Sequence, residues 1–344
     1  MIDFRYHLVS IVAVFLALAI GIVLGATNLR GGTLDLLQST NDSLKNQLTA
    51  SQAARDGYLN QSSAAEQFLQ SAEPRLLAKQ LDGENLVIVT EPGAQGSVVD
   101  GVKQAAALAG ATVTGEVALQ PKFNDISGAN QSSLSGINNS IAGQNGAALT
   151  TGSNPQTTYQ QQAAQLIATA ILASTTTAVE PTDAQAILSA YAQGGYLTVS
   201  PAGAPTAPAQ LAVIVTPQSA PADGQNDPAN QVLLAVAQEF ASASSATLVA
   251  GSALGSAQSG SAMSVLRSSS VSSQVSSVDD ADLTLGQITV VDALADQLAG
   301  KKPNSYGISG ASAVSPSPPP TPTVTSTPTT TPHSTSTRKA GAKK

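Results

Sequence analysis

Residues 8 to 26, LVSIVAVFLALAIGIVLGA, contain no charged side chain, and this stretch constrains the chain more than any other feature. At about 1.5 Å per residue, a helix of this length spans about 28 Å, close to the roughly 30 Å hydrocarbon thickness of a bilayer. A cleaved secretory signal is the alternative, but its apolar core usually runs to about 7–15 residues. We therefore predict a transmembrane helix over 8–28 after a short cytoplasmic amino terminus at 1–7. The weak charge bias favours the bulk of the chain outside the plasma membrane.

A seven-residue apolar repeat follows the membrane segment and indicates a coiled-coil stalk over 33–80. Residues at its a and d positions form a seam that a partner helix covers, in a second copy of the chain or in another envelope protein. A single amphipathic helix lying on the ectodomain is the alternative, because Arg55 and Ser62 occupy seam positions. Pro74 predicts a kink or a restart, since proline removes a helix hydrogen bond. The seam residues that we expect to bind a partner are Leu34, Leu37, Leu44, Leu48, Tyr58, Leu69 and Leu76.

Short apolar runs alternate with helical stretches from residue 84 to 302. A strand at 86–90, a helix near 97–109 and a strand at 111–119 make a βαβ unit. Continuous apolar runs indicate strands covered on both faces, as in a parallel sheet, so we predict a three-layer, Rossmann-like α/β ectodomain. The polar section 120–155 has no assignment. Further strands are predicted at 196–199, 211–215, 246–250 and 275–278, and further helices at 158–173, 183–192, 227–243, 260–267 and 285–298.

Ser, Thr and Pro dominate residues 303–344, where we predict a disordered tail. This composition is typical of an extended spacer and cannot form a packed core. The tail has four basic residues near its end, and they could contact anionic cell-wall polymer. A solubilising end without a partner is the alternative. The four residues are Arg338, Lys339, Lys343 and Lys344.

The predicted ectodomain lacks the residue types on which many enzymes depend. The chain has no cysteine, and its two histidines, His7 and His333, lie outside 84–302. Thiol and imidazole catalysis are therefore excluded there. The acidic excess and an aromatic content of 3% argue against binding of nucleic acid. We expect a protein that is not an enzyme and that has no resident cofactor.

The loop EPGAQGS at 91–97 follows the first predicted strand and opens a helix, where a phosphate-binding loop would lie. Neither G-x-G-x-x-G nor G-x-x-x-x-G-K-[ST] occurs there, so the spacing does not indicate a nucleotide site. Gly93 and Gly96 are expected to serve the tight turn, because glycine adopts positive φ without steric cost.

Three carboxylates, Asp279, Asp280 and Asp282, follow the last predicted apolar strand. Open α/β sheets place ligands at this end of their strands, and carboxylate oxygens suit a hard cation such as Mg²⁺ or Ca²⁺. A solvated turn is the alternative, because turns favour Asp. Metal-assisted hydrolysis at these residues would be a further, enzymatic function. Soft Cu(I) prefers thiolate and thioether ligands, and Met263 is the only methionine after Met1.

The opening sequence MIDFRYHLVSIVAVFLALAIGIVLG resembles the start of the actinobacterial MctB-like family, described as copper transport proteins of the outer membrane. LAVIV at 211–215, LVAG at 248–251, VSSVDDAD at 275–282 and YGISGA at 306–311 follow in the same order. The resemblance implies an envelope protein with a role in copper efflux or copper resistance. Related corynebacterial proteins of the SteB type imply instead a partner for a membrane protein and control of a peptidoglycan hydrolase at cell separation.

The sequence therefore leaves two functions open. An anchor, a stalk and an α/β domain favour a non-enzymatic envelope protein that scaffolds or regulates partners, such as a peptidoglycan hydrolase. Copper transport and copper resistance are the alternative that the family resemblance implies. A single membrane helix could line a pore only if several copies assembled, because one helix encloses no channel.

Overall fold

A computed structural model describes residues 4–152, 154–173, 180–200 and 205–316, without the side chains at positions 4, 5 and 27–35. The predicted seam residue Leu34 and the basic end of the tail lie outside the described side chains and residues.

One helix, α1 (Phe4–Leu77), joins the membrane segment to the rest of the chain. Its 74 residues span about 110 Å. The predicted membrane helix and stalk are therefore one continuous element. The predicted restart at Pro74 is wrong, because this proline lies in the last turn, where little helix follows it. The helix ends three residues later at Leu77, before the predicted end at residue 80.

The domain that follows contains a single sheet within the described residues. Its strands are β1 (Asn85–Thr90), β2 (Thr112–Leu119), β3 (Leu197–Ser200), β4 (Leu211–Val215), β5 (Ala246–Ala250), β6 (Ser276–Val278) and β7 (Ser305–Tyr306). The order across the sheet is β3-β2-β1-β4-β5-β6-β7. All neighbours run parallel except β2 and β3, which run antiparallel. The predicted, mostly parallel α/β sheet is confirmed.

Helices cover both faces of this sheet. They are α2 (Gly96–Leu108), α3 (Gly128–Asn145), α4 (Thr158–Ile171), α5 (Pro181–Gln193), α6 (Pro228–Ala243), α7 (Ala253–Ser256), α8 (Ala262–Ser268) and α9 (Thr284–Leu298). Val87 and Val89 of β1 face a buried cluster with α3 to α6 and α8. Leu86 and Ile88 face a second cluster with α2, α9 and the end of α1. The three layers follow from this alternation, because successive strand side chains point to opposite faces.

Helix α3 occupies half of the section 120–155 that has no assignment from the sequence. The polar composition of α3 prevented its prediction, because buried asparagines replace part of the apolar stripe that a helix usually presents to the core. Asn138 accepts a 2.7 Å hydrogen bond from the Tyr191 hydroxyl, and Asn130 accepts one of 2.9 Å from the Tyr196 hydroxyl. Both tyrosines are fully buried, so the asparagines satisfy hydroxyl groups inside the core.

The sheet extends beyond the predicted domain boundary at residue 302. Ser305 and Tyr306 form β7 and pair with Ser277 and Val278 of β6. Residues that the sequence assigns to the start of the tail therefore complete one edge of the sheet. Two residues are too few to show strand periodicity, which is why the composition of the neighbouring tail concealed them.

Candidate functional site

The first part of α1 presents an apolar surface on every side. The segment Tyr6–Ala26 has a mean hydropathy of 2.9, and none of it is buried against the rest of the structure. Elsewhere in the described chain, no helix is long and apolar enough to cross a membrane. A continuous apolar surface of this length requires a bilayer or an equivalent apolar environment, so the chain is a membrane protein.

The predicted seam lies on the exposed surface of α1 below the membrane segment. Leu37, Leu44, Leu48 and Tyr58 are each more than half exposed. Single exposed leucines are common, but these four recur at heptad spacing on one face. Their role in binding a partner stays a prediction.

The last third of the seam has a different environment. Leu69 is half-buried and packs against the cluster that contains Leu77 and Leu81, so it contacts the protein's own α/β domain. Leu76 stays half-exposed. Part of the surface of Leu69 is thus covered by the protein's own domain, and its role in binding a separate partner stays a prediction. Sequence periodicity could not separate the two roles, because a helix face has the same spacing whichever surface covers it.

Glu66 joins α1 to the domain by capping another helix. Its Oε1 accepts hydrogen bonds from the backbone N–H of Thr284, at 3.0 Å, and from the Thr284 hydroxyl, at 2.5 Å. Thr284 is the first residue of α9, whose own preceding residue, Leu283, offers no side-chain cap. A carboxylate at a helix amino terminus satisfies unpaired N–H groups and interacts favourably with the helix dipole. The long helix is thus tied to the domain by polar and apolar contacts.

The predicted seam lies on the same face of α1 as the joint, which is the region around Glu66 and Leu69 where α1 packs on the domain. Leu48 and Glu66 are eighteen residues apart, about five turns, and Leu37 and Glu73 are thirty-six apart, about ten turns. Glu73 is buried at the joint, and burial raises its pKa, with a smaller contribution from Glu66. The face that packs on the domain near residue 70 therefore continues, uncovered in the described structure, towards the membrane.

The structure places Asp279 in an ion pair at the sheet edge. Arg267 Nη1 lies 2.7 Å from Asp279 Oδ2, and the aspartate is fully buried. Asp279 Oδ1 accepts the N–H of Ile308 at 2.8 Å and that of Ser309 at 3.2 Å. Arg267 also donates to the Tyr306 carbonyl at 2.8 Å. These contacts attach the segment after β7 to β6, which is a structural role.

Asp282 and Asp280 point elsewhere. Asp282 Oδ1 accepts the N–H of Ala253, at the start of α7, at 2.8 Å. Asp280 is buried with neither carboxylate oxygen hydrogen-bonded, and desolvation, followed by the charge of Asp279, raises its pKa to about 6. Within the described residues, no group of three His, Cys, Asp or Glu side chains is placed to hold a metal ion. The predicted hard-cation site therefore has no support from the geometry.

Glu91 is a buried acidic residue that the sequence did not single out. Its side chain is 4% exposed, and its Oε1 has no hydrogen-bond partner. Desolvation raises its pKa to about 8. The only sequence signal is its position directly after the apolar strand β1. In the same loop, Gly93 has φ +88°, which confirms the turn role predicted for Gly93, whereas Gly96 is the first residue of α2.

Comparison with known proteins gives a consistent assignment. Residues 1–316 match the family model described as "Copper transport outer membrane protein, MctB". The chain is 32% identical over 322 residues to "Copper transporter MctB" of Mycobacterium tuberculosis strain H37Rv, covering 92% of this chain and 98% of that protein. It is 31% identical over 326 residues to the protein of the same name from Mycobacterium leprae, covering 92% and 99%. The chain belongs to the MctB family.

Proposed function

We propose that this MctB-family protein is a non-enzymatic, membrane-tethered docking protein of the cell envelope. The single observation that carries the proposal is the continuity of α1, which links an apolar membrane segment to a fixed joint with the α/β domain. The distance between the membrane and the domain is therefore set by one helix. The amino terminus is cytoplasmic and the domain lies outside the plasma membrane.

The exposed face of α1, which comprises Leu37, Leu44, Leu48 and Tyr58, is the proposed docking surface. Its first partner is the same face in a second copy. Copies anchored in one membrane share orientation and height, which favours a parallel coiled coil in register. Asn41, at an a position, suits such pairing, because a polar residue there fixes register. The paired region ends before Glu66, where the protein's own domain covers this face.

A peptidoglycan hydrolase that acts at cell separation is the class of further partner to be tested first. Leu44→Asp combined with Leu48→Asp should abolish self-association and disturb cell separation, because four charges would enter each paired seam. The matched control is Leu36→Asp with Phe68→Asp, two equally exposed residues on other faces of α1. Normal self-association and cell separation in the seam variant would refute the docking function.

Copper transport or copper tolerance is the second candidate function, and the names of the mycobacterial relatives favour it. The chain has no cysteine, and Met263 is buried, so it offers few soft ligands of the kind that Cu(I) prefers. Copper would therefore pass through an assembly to which this chain contributes. Deleting the gene and measuring growth and cell copper across added copper tests this function. Unchanged growth and copper content would count against it.

A further inference from the structure

A polar crevice lies at the joint, between α1, α2 and the start of α9. It measures about 570 Å³. Glu66, Gln70 and Glu73 line it from α1, and their spacing of four and three residues places them on one face of that helix. The remaining lining residues come from α2 and from the segment around the start of α9. They are Ser97, Asp100, Gly101, Gln104, Asp282, Thr284 and Gln287.

Every charged side chain in this lining is acidic. Glu66, Glu73, Asp100 and Asp282 supply the carboxylates, and no Lys, Arg or His is among the described residues that line the crevice. A cleft lined by charges of one sign raises the local concentration of the opposite ion. The crevice therefore attracts cations, and a specific site requires in addition a side chain that lacks a partner.

Glu73 is such a side chain. It is 5% exposed, and its Oε1 has no hydrogen-bond partner in the described structure. Glu73 lies within α1, where the helical backbone is enclosed, so it lines the crevice through its side chain. Burial raises its pKa and the charge of Glu66 raises it further, which places the two carboxyl groups near each other. A buried acceptor without a partner is costly, and a hydrogen-bond donor in the crevice would remove that cost.

Two other lining side chains offer acceptor oxygens. Glu66 caps α9 through Oε1, which leaves its Oε2 as an acceptor. Gln287 donates from Nε2 to the Ala281 carbonyl at 3.4 Å, which leaves its Oε1 as an acceptor. A Cβ at Gly101 would overlap the Gln287 amide, so this side chain lies directly against α2. Acceptors from α1 and α9 thus border the same space.

The arrangement favours an ammonium group over a metal ion. Within the described residues, no three His, Cys, Asp or Glu side chains are placed to hold a metal. Ca²⁺ requires about 6–8 oxygen ligands around one point. A primary ammonium group instead donates three hydrogen bonds, each to a separate acceptor. A space of about 570 Å³ also admits the alkyl chain that carries such a group.

We propose that this crevice binds a primary alkylammonium group, which donates hydrogen bonds to Glu73, to Glu66 and to the side-chain oxygen of Gln287. A small diamine and the lysine side chain of a peptide both present this group, and the experiment distinguishes them. The crevice lies on the domain side of the docking surface on α1, so either site can exist without the other.

The test is equilibrium dialysis of the full chain in detergent, at neutral pH and low ionic strength. The probes are labelled putrescine and, separately, labelled N-acetyl-lysine amide. Saturable binding of either probe supports the site, and the probe that binds more tightly identifies the source of the amine. The uncharged diol of the same chain length as putrescine should not compete. Absence of saturable binding of both probes, or tighter binding of Ca²⁺ in competition, would overturn the proposal.

Glu73→Gln tests the buried carboxylate. The amide keeps the shape of the side chain and removes its charge, so affinity for the amine should fall at least about ten-fold. The matched control is Glu180→Gln, the same change at an exposed residue directly before α5, which should leave affinity unchanged. Equal affinity in these two variants would overturn the proposal.

Gln104→Glu gives a result that misfolding cannot imitate. Gln104 lines the crevice from α2 and is exposed, so a carboxylate there adds negative charge without entering the core. Affinity for the amine should rise at least about two-fold at low ionic strength, because the added charge attracts the ammonium group. Unchanged or weaker binding in this variant would contradict recognition of a cation in the crevice.

Discussion

The burial of single acidic residues determines how the stability of the fold should respond to pH. Glu91 has a pKa raised to about 8 by desolvation, above its ordinary value of 4.5. A group whose pKa is higher in the folded state stabilises the fold below its unfolded pKa, and that contribution is lost as pH rises through the folded pKa. The protein should therefore lose stability between about pH 5 and pH 9.

Replacing Glu91 with Gln should remove much of this pH dependence. The amide is neutral at every pH, so the free energy of unfolding should fall less between pH 5 and pH 9, with a difference on the order of a few kcal/mol. Urea denaturation of the full chain at several pH values measures it. The exposed Asp183→Asn is the control and should leave the pH profile unchanged. Identical profiles for Glu91→Gln and the unmodified protein would contradict a buried neutral carboxyl.

Asp279 and Arg267 form the other residue pair whose loss should be measurable. Arg267→Ala would leave the fully buried Asp279 carboxylate without its ion pair, at a cost of about 3–5 kcal/mol. The segment after β7 should then become susceptible to protease, because Arg267 also holds the Tyr306 carbonyl. Limited proteolysis with mass mapping around residues 306–311 tests this. A cleavage pattern like that of the exposed control Lys301→Ala would be evidence against the role assigned to Arg267.

At the scale of secondary-structure elements, α1 and α9 are joined because a side chain of α1 caps the amino terminus of α9. Glu66→Ala should destabilise the domain by about 1 kcal/mol, the usual cost of losing a capping side chain. Hydrogen exchange at the first turn of α9 should accelerate. Asp42→Ala removes an exposed acidic residue from the same helix and should change neither quantity. Unaltered exchange at Thr284 in Glu66→Ala would show that the cap does not hold the joint.

Elements that are marked by a run of apolar residues could be predicted from the sequence, whereas elements that depend on tertiary packing could not. β4 and β5 have the predicted bounds, 211–215 and 246–250, because continuous apolar runs report burial on both faces directly. The sequence did not predict α3, because the buried Asn130 and Asn138 occupy positions where an apolar stripe is expected. It did not predict β7, because a strand of two residues has no visible periodicity. The burial of Glu91 could not be predicted, since its burial and missing hydrogen-bond partner arise from tertiary packing.

At the scale of the whole molecule, one helix relates the membrane to the α/β domain. About 60 Å of helix separates Ala26 from Glu66 at 1.5 Å per residue. The domain is therefore held away from the bilayer, and the exposed face of α1 lies in between. This spacing fits docking in the envelope better than the lining of a pore by one chain.

The absence of cysteine from the chain gives the most direct test of docking through α1. Single cysteines at positions 44, 48, 36 and 68 would be oxidised in intact cells and scored for disulfide-linked dimers. Parallel pairing brings equivalent seam residues within the roughly 4.4–6.8 Å Cα separation that a disulfide needs. Dimers should form from Leu44→Cys and Leu48→Cys but not from Leu36→Cys or Phe68→Cys. Equal crosslinking at all four positions, or none at 44 and 48, would contradict self-pairing through this face.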